Sequence, residues 1–434
     1  MPGRLSSALL TALSTLLASA LTAAPVAPAG PDAAAPPAGV DWVANLDQGH
    51  GVGVAYANGA LRLTAATGLL TLPARPLAQP VGRLSTQLDA ATPPGGTAEV
   101  DVRGRLPGGR WTEWLPTRPN APTTLPGPSS LVQLRVLLTA PAAGAGAARP
   151  EVRGLRVHGE VVPGQRVAAP AQAIGYRVFA TREGLVDGHT ANGHQIVPHD
   201  LFVALPSWRS LADEDGSEYS VKVCAAGGRC AWAPVWDVGP WNTRDDYWSG
   251  HREQWHDLPQ GVPEAQAAYR DGHNDGKDGT GRTVGNPAGI DLSDGLFDAA
   301  LGLTDNSEVT VSYLWTGGPA LSTVDAGEPQ TDSGAASTAT GTSTATGTGT
   351  GTSTATGTST ATSTATGGGG LSTEQAVAVR SAPAAGAPTV GVAADKAGVP
   401  VECGTPNGWL RIGADQYLPA SAVDLADDTA VGPC

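Results

Sequence analysis

Leu61-Arg62-Leu63, Glu99-Val100-Asp101-Val102-Arg103 and Val132-Gln133-Leu134-Arg135-Val136 alternate between apolar and polar side chains. A period of two puts every second residue on one face of a pleated chain, so each run predicts a half-buried strand. Pro and Gly clusters separate these runs and no helical period intervenes. Residues 41–162 therefore read as a β-sandwich of short strands. Trp111 and Trp114 fall near a strand edge, where core packing suits them better than stacking on a sugar. The same alternation returns at Val221-Lys222-Val223 and at Val309, Val311 and Tyr313, inside a segment spanning residues 170–318. Residues 333–370 are almost only Thr, Ala, Gly and Ser, so residues 319–373 read as a disordered linker without core-forming side chains. The chain is expected to be mostly β and multi-domain.

Composition adds compartment and partner class. The chain has 434 residues with 58 Gly, 36 Pro and one Met, and its formal net charge is −14. An acidic surface repels phosphate, which argues against nucleic acid and favours an uncharged glycan or a peptide cross-bridge. Arg4 precedes an apolar stretch from Leu9 to Leu21, and small residues follow at Ala18, Ala20 and Ala23. That order predicts a signal peptide over residues 1–24, an Ala/Pro-rich spacer over 25–40, secretion to the cell wall, and no membrane attachment after cleavage. Cys224 with Cys230 and Cys403 with Cys434 each lie within one domain and are expected as disulfides, since their spacing suits zinc poorly. Nothing in the pattern calls for a cofactor or a metal; the run Asp271 to Asp278 fails the calcium-loop template at Arg282.

Seven of the eleven Trp lie between Trp208 and Trp315, and six of the eight His between His189 and His273, so the chemistry is expected there. Three ordered pieces stand in this stretch. The first is Thr190-Ala191-Asn192-Gly193 followed by Ala204-Leu205-Pro206. The second is Val235-Trp236-Asp237-Val238-Gly239-Pro240, and the third is Ile290-Asp291-Leu292-Ser293. Together they resemble the double-psi β-barrel of rare lipoprotein A, barwin-like proteins and the first domain of expansins. The resemblance implies a six-stranded barrel over residues 170–318, interrupted by an insertion at 242–287. It also implies action on, or binding of, peptidoglycan or another wall glycan.

Within that resemblance Asp237 takes the place of the proposed acid of glycan-active members. An Asp before Gly-Pro also caps turns, so both uses stay open. A single acid suits lytic transglycosylation, in which the muramic acid's own hydroxyl attacks; hydrolysis needs a second carboxylate, for which Asp200, Asp245, Asp246 and Asp291 are candidates, although the family position of Asp291 implies a structural role at a barrel turn. The alternative is an expansin-like protein that binds without cleaving. Active members carry a Glu just after the first piece, where this chain has His194. Thr190, Asn192, His194, His199, Trp236, Trp241, Trp248 and Trp255 are the expected sugar-binding residues. Ser293 is expected to cap a short helix through Leu301, and Glu264 to Arg270 to form another over the barrel's groove. Residues 374–434, through Val379-Arg380-Ser381, Gly408-Trp409-Leu410-Arg411-Ile412 and Gln416-Tyr417-Leu418-Pro419-Ala420, resemble the bacterial Src-homology-3-like domain, which implies a small barrel that binds wall peptide or glycan.

Overall fold

The computed structural model describes residues 39–119, 121–142, 148–167, 172–327, 375–426 and 430–434. The expected signal peptide, most of the spacer and most of the Thr-rich linker lie outside these residues. The fold is mostly β and holds a closed six-stranded barrel beside other sheets.

The front body, from Gly39 to Glu160, is one hydrogen-bonded sheet of ten strands around a core that includes Leu61, Leu84, Val102, Leu125, Val136 and Leu155. Its strands are not all short. Arg75–Ala91 and Thr123–Thr139 each run 17 residues. The Pro and Gly residues that predict strand ends, among them Pro76, Pro80 and Gly82, sit instead where the pairing register slips inside the first of these strands. A slip leaves ladder positions unpaired, and that is where a residue without an N–H is tolerated.

The barrel strands are Ile174–Arg182, Val203–Leu205, Ser220–Ala225, Cys230–Val238, Ala288–Leu292 and Ser307–Tyr313. Taken as first to sixth, the first pairs the fifth in parallel and the second pairs the fourth in parallel; first–sixth, third–fourth, second–fifth and third–sixth are antiparallel. Exchanging the first three strands with the last three leaves this scheme unchanged. The barrel's pairing scheme thus has an internal two-fold. Val178, Val221, Val223, Ala233, Ile290 and Val311 fill its core. Cys224–Cys230 clamps the hairpin of the third and fourth strands, and Cys403–Cys434 closes the C-terminal unit.

Three expectations need correction. Leu321–Val324 is a strand, not linker: it pairs with Gly398–Pro400 and Val423–Asp424, completing the sheet of the C-terminal unit. Ser293 does not cap the π-helix Gly295–Ala300; its hydroxyl donates to the Asp200 carbonyl and accepts from the Phe202 amide, tying two barrel segments together. The insertion does form a helix, Glu264–Asp271, but its first residues are built into the barrel rather than laid over it. Tyr247 donates to the Gly289 carbonyl, Tyr313 donates to Tyr247, and Asp245 accepts from the Glu264 amide and pairs with Arg252.

The bodies are also less independent than their sequence suggests, and Ala38–Cys434 forms one unit. Arg103 of the front body, 2 % exposed, pairs with Asp213 and Glu218 of the barrel segment and lies over the rings of Trp111 and Trp114. Trp114 is fully buried, with its indole N–H on the Leu211 carbonyl. At the far side, Cys230–Trp232 pairs in parallel with Gly391–Ala393, joining barrel and C-terminal unit in one sheet.

Candidate functional site

Four barrel strands carry one polar row. Thr181 stands opposite Asp291, Asp291 opposite Ala204, and Ala204 opposite Asp237. Opposed residues on neighbouring strands share a face, so the two Asp side chains flank the Ala204 methyl group. Thr181 donates its hydroxyl to Asp291 Oδ1. Asp237 Oδ1 accepts from the Ala191 amide at 2.7 Å and from the Val238 amide at 2.8 Å. Asp237 thus anchors the Thr190–Gly193 loop and is half-buried.

Two residues beyond Thr181, on the same face of the chain, comes Glu183. Neither of its buried oxygens completes a hydrogen bond among the described residues, and its carboxyl faces that of Asp237. Burial first, then the neighbouring Asp237 and the charges of Asp291 and Asp294, push the Glu183 carboxyl up to about 10. Burial lifts Asp291 to about 6, Thr181 opposing and Asp237 adding to the shift. Burial thus favours the neutral form of Glu183, beside the Asp237 carboxyl that two amides orient. Residue types alone did not point to it. Its only sequence signal is its parity with Thr181 at the strand end, and the pairing of first and fifth strands is what brings it to the row.

The expected sugar-binding residues divide. Trp241 flanks a shallow depression of about 360 Å³ together with Thr181, Arg182, Asn286, Asp291 and Asn306. Its indole N–H donates to Asn286 at 3.0 Å. Trp236 points to the other face from Asp237: its ring lies 4.5 Å from that of His194 and 6.1 Å from that of Phe202, and it is 6 % exposed. It does not wall the acid, because alternate residues of a strand face opposite ways. Trp248 is no platform either; it is fully buried against Tyr313 and donates to Glu113 of the front body. Trp255 packs edge-on to His273 in the insertion.

Thr190 and Asn192 are buried and bonded to each other, and Asn192 also accepts from the His194 amide and donates to the Asp213 carbonyl. Their polar atoms brace the loop rather than await a ligand. His194 is held by Asp200 at 2.8 Å, which occupies Asp200 as well. His199 is exposed, on a left-handed backbone. Asp246 is committed to Arg209 and Asp245 to Arg252, so of the candidate second carboxylates only Asp291 stands in the row. The run Asp271 to Asp278 forms the helix end and a tight turn, whose Asp278 accepts from the Thr280 and Arg282 amides.

The barrel is a recurrent unit. Residues 174–312 match a family described as a domain of unknown function (DUF8814). The match starts on the first residue of the first barrel strand and stops one residue short of the end of the sixth. It contains Glu183, Asp237 and Asp291 together with the whole insertion. No curated protein and no solved structure matches the chain. The DUF8814 region thus coincides with the closed barrel and its polar row, while the front body and the C-terminal unit lie outside it.

Proposed function

We propose that the chain is an exported protein that engages cell-wall glycan at the open end of its barrel and cleaves it without water, in the manner of a lytic transglycosylase. The facing of Glu183 and Asp237 supports this reading. One proton held between two carboxyl groups can be delivered to a glycosidic oxygen as the C1–O bond breaks. The muramic acid's own hydroxyl then attacks C1, and its proton returns to the carboxyl pair, so the product is an anhydro sugar and no water is consumed. Asp237, assigned as the acid from its motif, becomes the oriented member of the pair, and Glu183 the member that holds the proton at neutral pH. Trp241 offers an apolar ring beside the row, and Asn286 and Asn306 offer amides for sugar hydroxyls. The C-terminal unit, by its resemblance to wall-binding domains, would tether the chain to the same material.

A binding-only, expansin-like role is the second reading, and the shallowness of the depression favours it. Digesting purified peptidoglycan with the whole protein separates the two. Soluble fragments with anhydro ends support cleavage. Co-sedimentation with no released fragment supports binding alone. Protein that stays in the supernatant and releases no fragment contradicts both.

A further inference from the structure

The front body abuts the acid row. Ala191 and Val238, whose amides hold Asp237, pack in a small apolar cluster with Val52, Leu69 and Leu137 of the front body and Leu211. A Cβ placed on Gly193 would lie 2.8 Å from Val52 Cγ2, so the front hairpin touches the Thr190–Gly193 loop directly. Beside this contact a cavity of about 340 Å³ opens between the two bodies. Leu69 and Leu211 form part of its floor; Gln48, His50 and Glu214 are among its polar walls. His50 and Glu214 meet across the seam at 3.0 Å, one from each body, and both are largely exposed.

The row thus has a concavity near each end. The depression with Trp241 adjoins Asp291, and the seam cavity adjoins Asn192, next to the Ala191 that bonds Asp237. Thr181 and Asp237 are linked across the barrel through Asp291 and Ala204, so a ligand that fills both concavities spans the row. An apolar floor with polar walls suits a neutral pyranose, which presents C–H faces and hydroxyl edges.

We infer that the seam cavity is a distal subsite for an extended neutral glycan, so that the front body forms half of the binding site rather than an appended domain. This rests on the glycan reading of the acid row and adds to it a second site on a different body. The test uses the whole protein and oligomers of β-1,4-linked N-acetylglucosamine from disaccharide to hexasaccharide, measured by calorimetry. Affinity should climb with length. The double variant His50→Ala with Glu214→Ala should lose about fivefold or more on the hexasaccharide, the equivalent of one or two hydrogen bonds, and keep the disaccharide affinity unchanged. An exposed polar contact contributes little to folding, and an unchanged melting temperature confirms that the variant is intact. Affinity independent of length, or a variant that binds every oligomer as the parent does, overturns the subsite while leaving the acid row standing. A parent protein that binds no oligomer and no wall glycan overturns the subsite and the glycan reading together.

Discussion

Glu183, buried beside Asp237, couples stability to pH. Its carboxyl titrates far above the ordinary carboxylate range in the folded chain and near 4 in the unfolded chain. Between those values the folded state binds more protons than the unfolded one, so stability is greatest at acid pH and declines as pH rises. Asp291, raised to about 6, acts in the same direction over the lower part of that window. Thermal unfolding should therefore show a higher melting temperature at about pH 5 than at about pH 8. Glu183→Gln, which stays neutral, should flatten the profile and recover roughly 1–3 kcal/mol at the higher pH. A profile unchanged by the substitution would remove Glu183 from the account. The sequence singles out Asp237 through its motif, and the structure places it in the row. Glu183 was not legible in the sequence, because only the pairing of strands more than a hundred residues apart brings it to the row, as the Thr181–Asp291 bond shows.

At the scale of elements, alternation marked strands well and turn residues misled. Pro126, Gly127 and Pro128 read as punctuation, yet they lie within one continuous strand whose register against Arg75–Ala91 slips around them. Leu321–Val324 has the right alternation, but four residues beside a Thr-rich tract carry too little pattern to stand out. The parallel pairing of Cys230–Trp232 with Gly391–Ala393 had no sequence signature at all, since parallel partners can be any distance apart. Close approach of the two backbones depends on Gly391. A Cβ there would lie 2.6 Å from the Cys230 carbonyl oxygen and 2.9 Å from the Trp232 ring. Gly391→Val should destabilise the protein by about 1–3 kcal/mol and expose the C-terminal unit to limited proteolysis. Wild-type melting and digestion patterns would show the seam to be dispensable.

Across the whole molecule, the expected bodies exist, but the flexible string of modules they suggested does not extend to the front body and the barrel. Arg103 shows why: its neighbours in sequence are strand residues of the front body, while its charge partners Asp213 and Glu218 belong to a barrel loop. Removing one member of a buried ion cluster leaves the others unpaired in a poorly solvated place. Arg103→Ala should accordingly cost about 3–5 kcal/mol and loosen the front body from the barrel. Hydrogen exchange would register this as faster exchange on both sides of the seam, whereas a purely local role would confine the change to the front body. If the seam loosens, Ala191 and Val238 lose their packing against Val52 and Leu69, and Asp237 loses the frame that orients it.

The central claim is that Glu183 and Asp237 together move a proton onto a glycan bond. Mass spectrometry of wall fragments released by the parent protein, Glu183→Gln and Asp237→Asn tests it most directly. Anhydro-ended fragments should accumulate with the parent and fall by about a hundredfold or more with each variant. Equal yields from all three proteins, or none from the parent, would contradict it.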